Sequence, residues 1–343
     1  MTRTLTEREL NRALLARQLL LERAKTPLPR ALERIGGIQA QYAPAMYIGL
    51  WSRLADFERE QLTRALGRKS VVQGTLLRTT IHLVSKADYW PFVVGIRKRR
   101  REQWVRSHKA DVRKIEAACR KLRPHFKRGE LNQKEIDEIL SGDAASRNGV
   151  GLFLDLVRVP PAGTWDRRRA DIYALAEDWI GKDKTTQKQG LERLVQRYLS
   201  GFGPARAEEI ANWAGVSNPD IKGVLEGLEL RRFEDEQGKE LIDLPRLPLP
   251  DADTPAPVRF LPVWDATLLV HARRTQILPE RYRPLIFNTK TPHSVNAFLV
   301  DGQVAGTWRY EKGRVKIAPF GRLPKGVRAE LDDEAELLAE FHS

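Results

Sequence analysis

Apolar positions along the chain fall into blocks of helical period, each followed by short runs rich in β-branched residues, and that order recurs. Thr6 and Glu9 stand at capping-box spacing, and Leu10, Leu14 and Leu21 follow on one helical stripe. Pro27 and Pro29 interrupt the chain; Pro29 suits a first helical turn, and the stripe Leu32, Ile35, Ile38 leads into Gln39-Ala40-Gln41. Pro44 disfavours helical geometry at Ala43, which predicts a helix ending just past the two glutamines. Further helices are expected through Ile48, Leu50, Trp51 and Leu54, and through Leu62 and Leu66. Val71-Val72, a break at Gly74, and the run Leu76 to Val84 then read as strands. Helices followed by a short hairpin are the outline of a winged helix.

A second unit of this kind starts near Gly129. Its first short helix begins in the segment Leu131 to Ile136 and ends near Gly142. Its second carries Val150, Leu152, Phe153, Leu156 and Val157 and stops before Pro160-Pro161, with a small wing around Gly163 and Trp165. The third unit has the plainest punctuation. Leu191 to Leu199 is a helix closed by Gly201 and Gly203, and Pro204 to Trp213 is another, stopped by Gly215. Ser217 caps a third through Ile221, Val224, Leu225 and Leu228, and strands Leu230 to Phe233 and Leu241 to Leu244 flank a turn at Gln237-Gly238. Pro and Asp crowd residues 245–257, the composition of a linker. Beyond it, Phe260 to Val263, Leu268 to Val270, Val295 to Val300, Gln303 to Tyr310 and Arg314 to Ile317 read as strands, and a final helix or tail follows from Glu330.

The expected fold is therefore α+β and mainly helical, with three tandem winged-helix motifs and a C-terminal β-rich domain. The expected divisions are 1–125, which holds the glutamine pair and a basic helix; 126–184; 185–246; a linker at 247–257; and 258–343. Charge adds a partner. Lys and Arg number 59 against 45 Asp and Glu, a formal net charge of +14, which favours a polyanion. The excess clusters from Arg97-Lys98-Arg99-Arg100-Arg101 through Arg106, Lys109, Arg113, Lys114 and onward to Arg128, too dense for one helical face. Part of such a run can meet a phosphate backbone while the rest is solvated. Double-stranded DNA is the expected partner, bound by a monomer.

Cys119 is the only cysteine, so neither an internal disulfide nor a thiolate zinc site can form, and a reducing compartment fits. The N-terminus is polar and no apolar run is long enough to span a bilayer, so a membrane role is not expected and a cytoplasmic, nucleoid-associated location is. The six histidines form no metal-binding spacing, and P-loop, GxGxxG and nucleophile-elbow motifs are absent, so no metal or organic cofactor is expected.

Gln39 and Gln41 remain. Two apart on a helix they would point about 200° from one another, but they converge if the helix is ending; spacing alone favours two side chains that simply face water. The stretches Gly36-Gly37-Ile38-Gln39-Ala40-Gln41, Leu77-Arg78-Thr79-Thr80-Ile81-His82-Leu83-Val84 and Phe298 to Trp308 give the chain its resemblance to the AlkZ/YcaQ family of winged-helix DNA glycosylases. That family removes alkylated bases and unhooks interstrand crosslinks, and its catalytic motif is Gln-x-Gln, or Gln-x-Asp in one branch. The resemblance spans nearly the whole chain and implies that Gln39 and Gln41 are catalytic. It also singles out Arg78 and His82, which join Arg97, Lys98, Arg100, Arg101, Arg273 and Arg274 as candidate DNA-binding residues.

Two amides suit a lesion already primed to leave. A purine alkylated at N7 carries positive charge and departs without protonation, so a strong general acid is unnecessary. What remains is an oxocarbenium-like sugar and a water to be aimed at C1′. A glutamine carbonyl can accept a hydrogen bond from that water and stabilise the developing cation. The expected function is thus monofunctional excision of N7-alkylpurines. A winged-helix regulator without catalysis, or an RNA-binding winged-helix protein, are the alternatives. Asp265 is either a turn residue or an auxiliary carboxylate, and Trp51, Trp104, Trp213 and Trp308 are expected in the core.

Overall fold

A computed structural model of the chain describes all residues except 1, 142–143, 270–271 and 289–292. The expected helix end near Gly142, and Val270 of an expected strand, therefore lie outside the described residues. Helix Glu7–Arg17 starts at Thr6, whose side chain and that of Glu9 form the anticipated capping box. Its buried face carries Asn11, Arg12 and Arg17 beside Leu14 and Leu15. Those arginines reach across the molecule to the Pro/Asp-rich segment: Arg8 donates to the Ala252 carbonyl, Arg12 to that of Thr254, and Arg17 to that of Pro248. The segment that reads as a linker is thus strapped along the first helix. Arg3–Leu5, not anticipated as a strand, pairs in parallel with Arg231–Asp235 of the third unit.

Helix Leu28–Ile35 stops earlier than its apolar stripe suggests. Gly36 (φ +79°) and Gly37 (φ +82°) are both left-handed, and the Gly37 amide donates to the Leu32 carbonyl. A Cβ at Gly37 would sit 3.0 Å from the Leu83 carbonyl oxygen, so only glycine admits this approach of two backbones. Gln39 consequently does not ride on a helix end. Ile38–Gln39 is a short strand, paired antiparallel with Ile81–Ser85. The Gly36-Gly37 pair overrides the spacing of Leu32, Ile35 and Ile38, because Ile38 serves the sheet and not the helix.

That strand opens an antiparallel six-stranded sheet, continuing through Ile81–Ser85, Val71–Thr75, Leu156–Arg158, Ile172–Leu175 and Leu131–Asn132. The strands of the first and second units are therefore one sheet. Helix Lys86–His108, capped by Ser85, crosses helix Gln187–Phe202 of the third unit at Gly95 and Gly190. A Cβ on Gly190 would lie 2.6 Å from the Gly95 nitrogen, so the two backbones touch where side chains would hold them apart.

The third unit follows its punctuation. Gln187–Phe202, Ala207–Ala214 and Asn218–Leu225 are its helices, with Gly215 in the left-handed C-terminal position and Ser217 capping the next helix. Arg231–Asp235 and Glu240–Asp243 form its hairpin. The C-terminal sheet runs Arg259–Leu261, Ala297–Val300, Gln303–Glu311, Arg314–Pro319, and helix Val327–His342 closes the chain. Leu268 and Leu269, expected in a strand, instead lie in a turn beneath Asp265. Phe341 of the last helix packs against Trp51, Phe57 and Trp165, so the C-terminal region shares its core with the first unit. Trp51, Trp213 and Trp308 are buried as anticipated. Trp104 is not: it is half-buried and stacks on His108 at 3.7 Å. Among the described residues no helix is long and apolar enough to cross a membrane.

Candidate active site

Gln39 ends the short strand, and Gln41 lies in the bend that follows it, before helix Ala43–Trp51. The Ala40 amide donates to the Ile81 carbonyl at 2.7 Å, extending the pairing past Gln39, and the Ile81 amide donates to Gln41 Oε1 at 3.3 Å. Since a backbone N–H can bond only to the oxygen of that amide, the orientation of Gln41 is settled by its partner. Gln41 is exposed at the rim. Gln39 is only 8% exposed, and among the described residues no group hydrogen-bonds its amide. Neither amide atom is fully buried, so this unpartnered carboxamide is open to water or substrate.

Gln39 lies directly opposite His82. The neighbouring Ala40 amide donates the ladder bond to the Ile81 carbonyl, so Gln39 and His82 occupy the closer, non-hydrogen-bonded kind of pair, on one face. On the far side of His82 the row continues to Gly74, above which the Tyr89 ring lies. His82 is buried, with Nδ1 3.1 Å from the Thr80 carbonyl oxygen. A carbonyl accepts only, so Nδ1 carries the proton and Nε2 a lone pair. Burial, reinforced by the nearby Arg78 cation, pushes the His82 pKa down to about 3, which keeps the ring neutral.

The loop before His82 is tightly wound. Arg78 (φ +51°) and Thr79 (φ +61°) are consecutive left-handed residues without the freedom of glycine. Arg78 is anchored to the Trp213 carbonyl at the end of helix Ala207–Ala214, and burial lowers its pKa to about 10. Its place is between the first hairpin and the third unit.

The remaining basic candidates separate into two groups. Arg97 pairs with Asp155 at 2.9 Å; Arg100 is buried and donates to the Thr75 and Leu152 carbonyls; Arg101 donates to those of Leu152 and Phe153. These three hold the end of helix Ala144–Phe153. Arg274 is buried, bonded to the Thr267 carbonyl and the Tyr198 hydroxyl, and lies over the Phe202 ring. Arg273 is exposed but doubly bonded to Glu280. Lys98 is exposed, and among the described residues no carboxylate pairs it, nor Arg106, Lys109, Arg113 or Lys114. Asp265 is a turn residue: its carboxylate accepts from the Thr267 amide and hydroxyl and takes both arms of buried Arg53 at 2.9 Å.

One rim residue had no place in the sequence reading. Tyr42, next to Gln41, is 41% exposed, and its hydroxyl accepts from Arg168 at 3.1 Å. Its only sequence signal is adjacency to the motif.

Comparison with known proteins gives this geometry its context. Residues 32–341 match the DNA glycosylase AlkZ-like family. The chain belongs to that family. AlkZ-like proteins hydrolyse N-glycosidic bonds, so this chain is an enzyme whose macromolecular partner is DNA. A Streptomyces sahachiroi interstrand DNA cross-link repair glycosylase is 22% identical over 344 residues, covering 92% of this chain and 91% of its own. The solved structure of Streptomyces sahachiroi DNA glycosylase AlkZ superposes with a TM-score of 0.82 at 17% identity, over 99% of this chain and 97% of that one. At that identity the likeness speaks for the AlkZ fold, tandem winged helices with a C-terminal β region.

Proposed function

We propose that this AlkZ-like glycosylase excises N7-alkylated purines from double-stranded DNA, including those that tie the two strands together, with Gln39 and Gln41 as its catalytic pair. The observation that carries the reading is the Gln39 carboxamide, which has no hydrogen-bond partner among the described residues, two residues from a rim glutamine held by the Ile81 amide. The relative's activity on interstrand crosslinks supports the choice of lesion. In this reading the Gln39 carbonyl accepts from the attacking water, and the Gln41 dipole, fixed by the Ile81 amide, faces the cationic sugar. The phosphate backbone lies along Lys98, Arg106, Lys109, Arg113 and Lys114, the cations without carboxylate partners.

Incubation with duplexes carrying N7-methylguanine or a nitrogen-mustard crosslink, followed by detection of abasic sites, tests the function. Wild type is expected to release the modified base. The Gln39→Ala, Gln41→Ala double variant is expected to lose about 100-fold or more in rate, the scale of a removed transition-state contact. Absence of release by wild type on both substrates overturns the choice of lesion; equal activity in the double variant overturns the choice of residues.

A further inference from the structure

We infer that His82 is a catalytic residue: its Nε2 and the Gln39 carbonyl are two acceptors that together hold and aim the hydrolytic water. This rests on the catalytic reading of Gln39 and assigns His82 a role other than contact with DNA. Four observations lead here. His82 and Gln39 face each other across a non-hydrogen-bonded pair, whose Cβ atoms stand about 5 Å apart. They make no direct hydrogen bond, and among the described residues nothing bonds the Gln39 amide or His82 Nε2, so both polar groups remain open to a water. Nδ1 is committed to the Thr80 carbonyl, so Nε2 turns its lone pair away from that loop and toward the row. And His82 is 4% exposed, too deep for a phosphate contact.

The chemistry balances. One water proton points at Gln39 Oε1 and the other at His82 Nε2, leaving an oxygen lone pair directed at C1′. As the C1′–N9 bond breaks, its electron pair leaves with the purine and cancels the charge introduced by alkylation at N7. The water oxygen bonds to C1′, and its surplus proton is released to solvent while His82 stays neutral. A neutral imidazole held well below its ordinary pKa suits this task, because it accepts a hydrogen bond without competing as a cation beside an oxocarbenium sugar.

The test is single-turnover excision of N7-methylguanine from duplex DNA, with DNA affinity measured at two salt concentrations. His82→Asn keeps a donor for the Thr80 carbonyl but has no acceptor at the Nε2 position, whereas His82→Gln reaches that position with its carbonyl. His82→Asn is expected to lower the single-turnover rate about 10- to 100-fold with DNA affinity and its salt dependence unchanged, and His82→Gln to recover most of that loss. His82→Phe, matched in shape to the imidazole, is expected to behave as Asn, so the result does not hang on one variant's folding. Wild-type rates in Asn and Phe overturn the assignment. So does a loss that appears as weaker DNA binding with a shallower salt slope, or one equal in Asn and Gln with unchanged thermal melts. A wild type inactive on both lesions overturns the proposed function itself, and the shared-water arrangement with it; an active wild type beside equally active variants overturns this assignment alone.

Discussion

The start and the middle of the basic run between residues 97 and 128 behave as different materials. At its start, Arg97, Arg100 and Arg101 are turned inward, two of them onto Asp155 and the third onto the carbonyls that end helix Ala144–Phe153. Further along, Arg106, Lys109, Arg113 and Lys114 stand in solvent without carboxylates. Arginine suits the first task because its planar, forked donors satisfy several carbonyls at once, while its charge stays on at any working pH. The second task asks only for mobile charge near a polyanion. Charge counted along a sequence therefore overstates charge available to DNA, and the difference lies in whether an acid or a helix end is folded against it.

The largest effect that could sharpen this contrast is on stability. Asp155→Asn keeps a residue tolerant of the left-handed backbone there (φ +48°) but removes the acid facing buried Arg100. Denaturant unfolding should report a loss of about 3–5 kcal/mol, the range for a buried cation left without its partner, with DNA affinity per folded molecule unchanged. Next comes the triple variant Arg106→Ala, Lys109→Ala, Lys114→Ala. It should weaken duplex binding about 10- to 100-fold at low salt and reduce the slope of log K against log salt by about three, with stability unchanged within about 0.5 kcal/mol. A steep slope retained in that variant would place the phosphates elsewhere and break the comparison. The smallest effect belongs to Arg273→Ala, whose exposed, solvent-screened pairing with Glu280 should leave thermal and denaturant unfolding indistinguishable from wild type.

Much of the third unit was legible because its punctuation is local: Gly215 ends one helix and Ser217 starts the next within a few residues. The glutamine motif was legible as a resemblance but placed on the wrong element. An apolar stripe at helical spacing ran on through Gly36-Gly37, and only the partner strand Ile81–Ser85, distant in the chain, shows why Ile38 faces inward. The same remoteness hid the row joining Gln39 to His82, the continuation of the first hairpin into the strands of the second unit, and the carbonyls that hold Arg100 and Arg101. Hydrophobic period reports which face of an element is buried; it does not name what lies opposite. Arg274 illustrates the limit most sharply. A basic pair on a small β-region reads as surface, yet this member lies buried against Tyr198 and Phe202 of a helix from another unit.

The parallel pairing of Arg3–Leu5 with Arg231–Asp235, together with the grip of Arg8, Arg12 and Arg17 on residues 248–254 and on Asp301, has a consequence for how the chain is made. Residues 3–17 are synthesised well before the partners they take at 231–254 and 301. Their strand must wait unpaired while most of the polypeptide is synthesised, and the helix behind it holds buried arginines whose acids and carbonyls do not yet exist. Closure of the molecule is then a late, long-range event, slow in the manner of all non-local pairing. Helix Glu7–Arg17 and the strand before it work as a clasp, fastened only when residues 231–301 arrive.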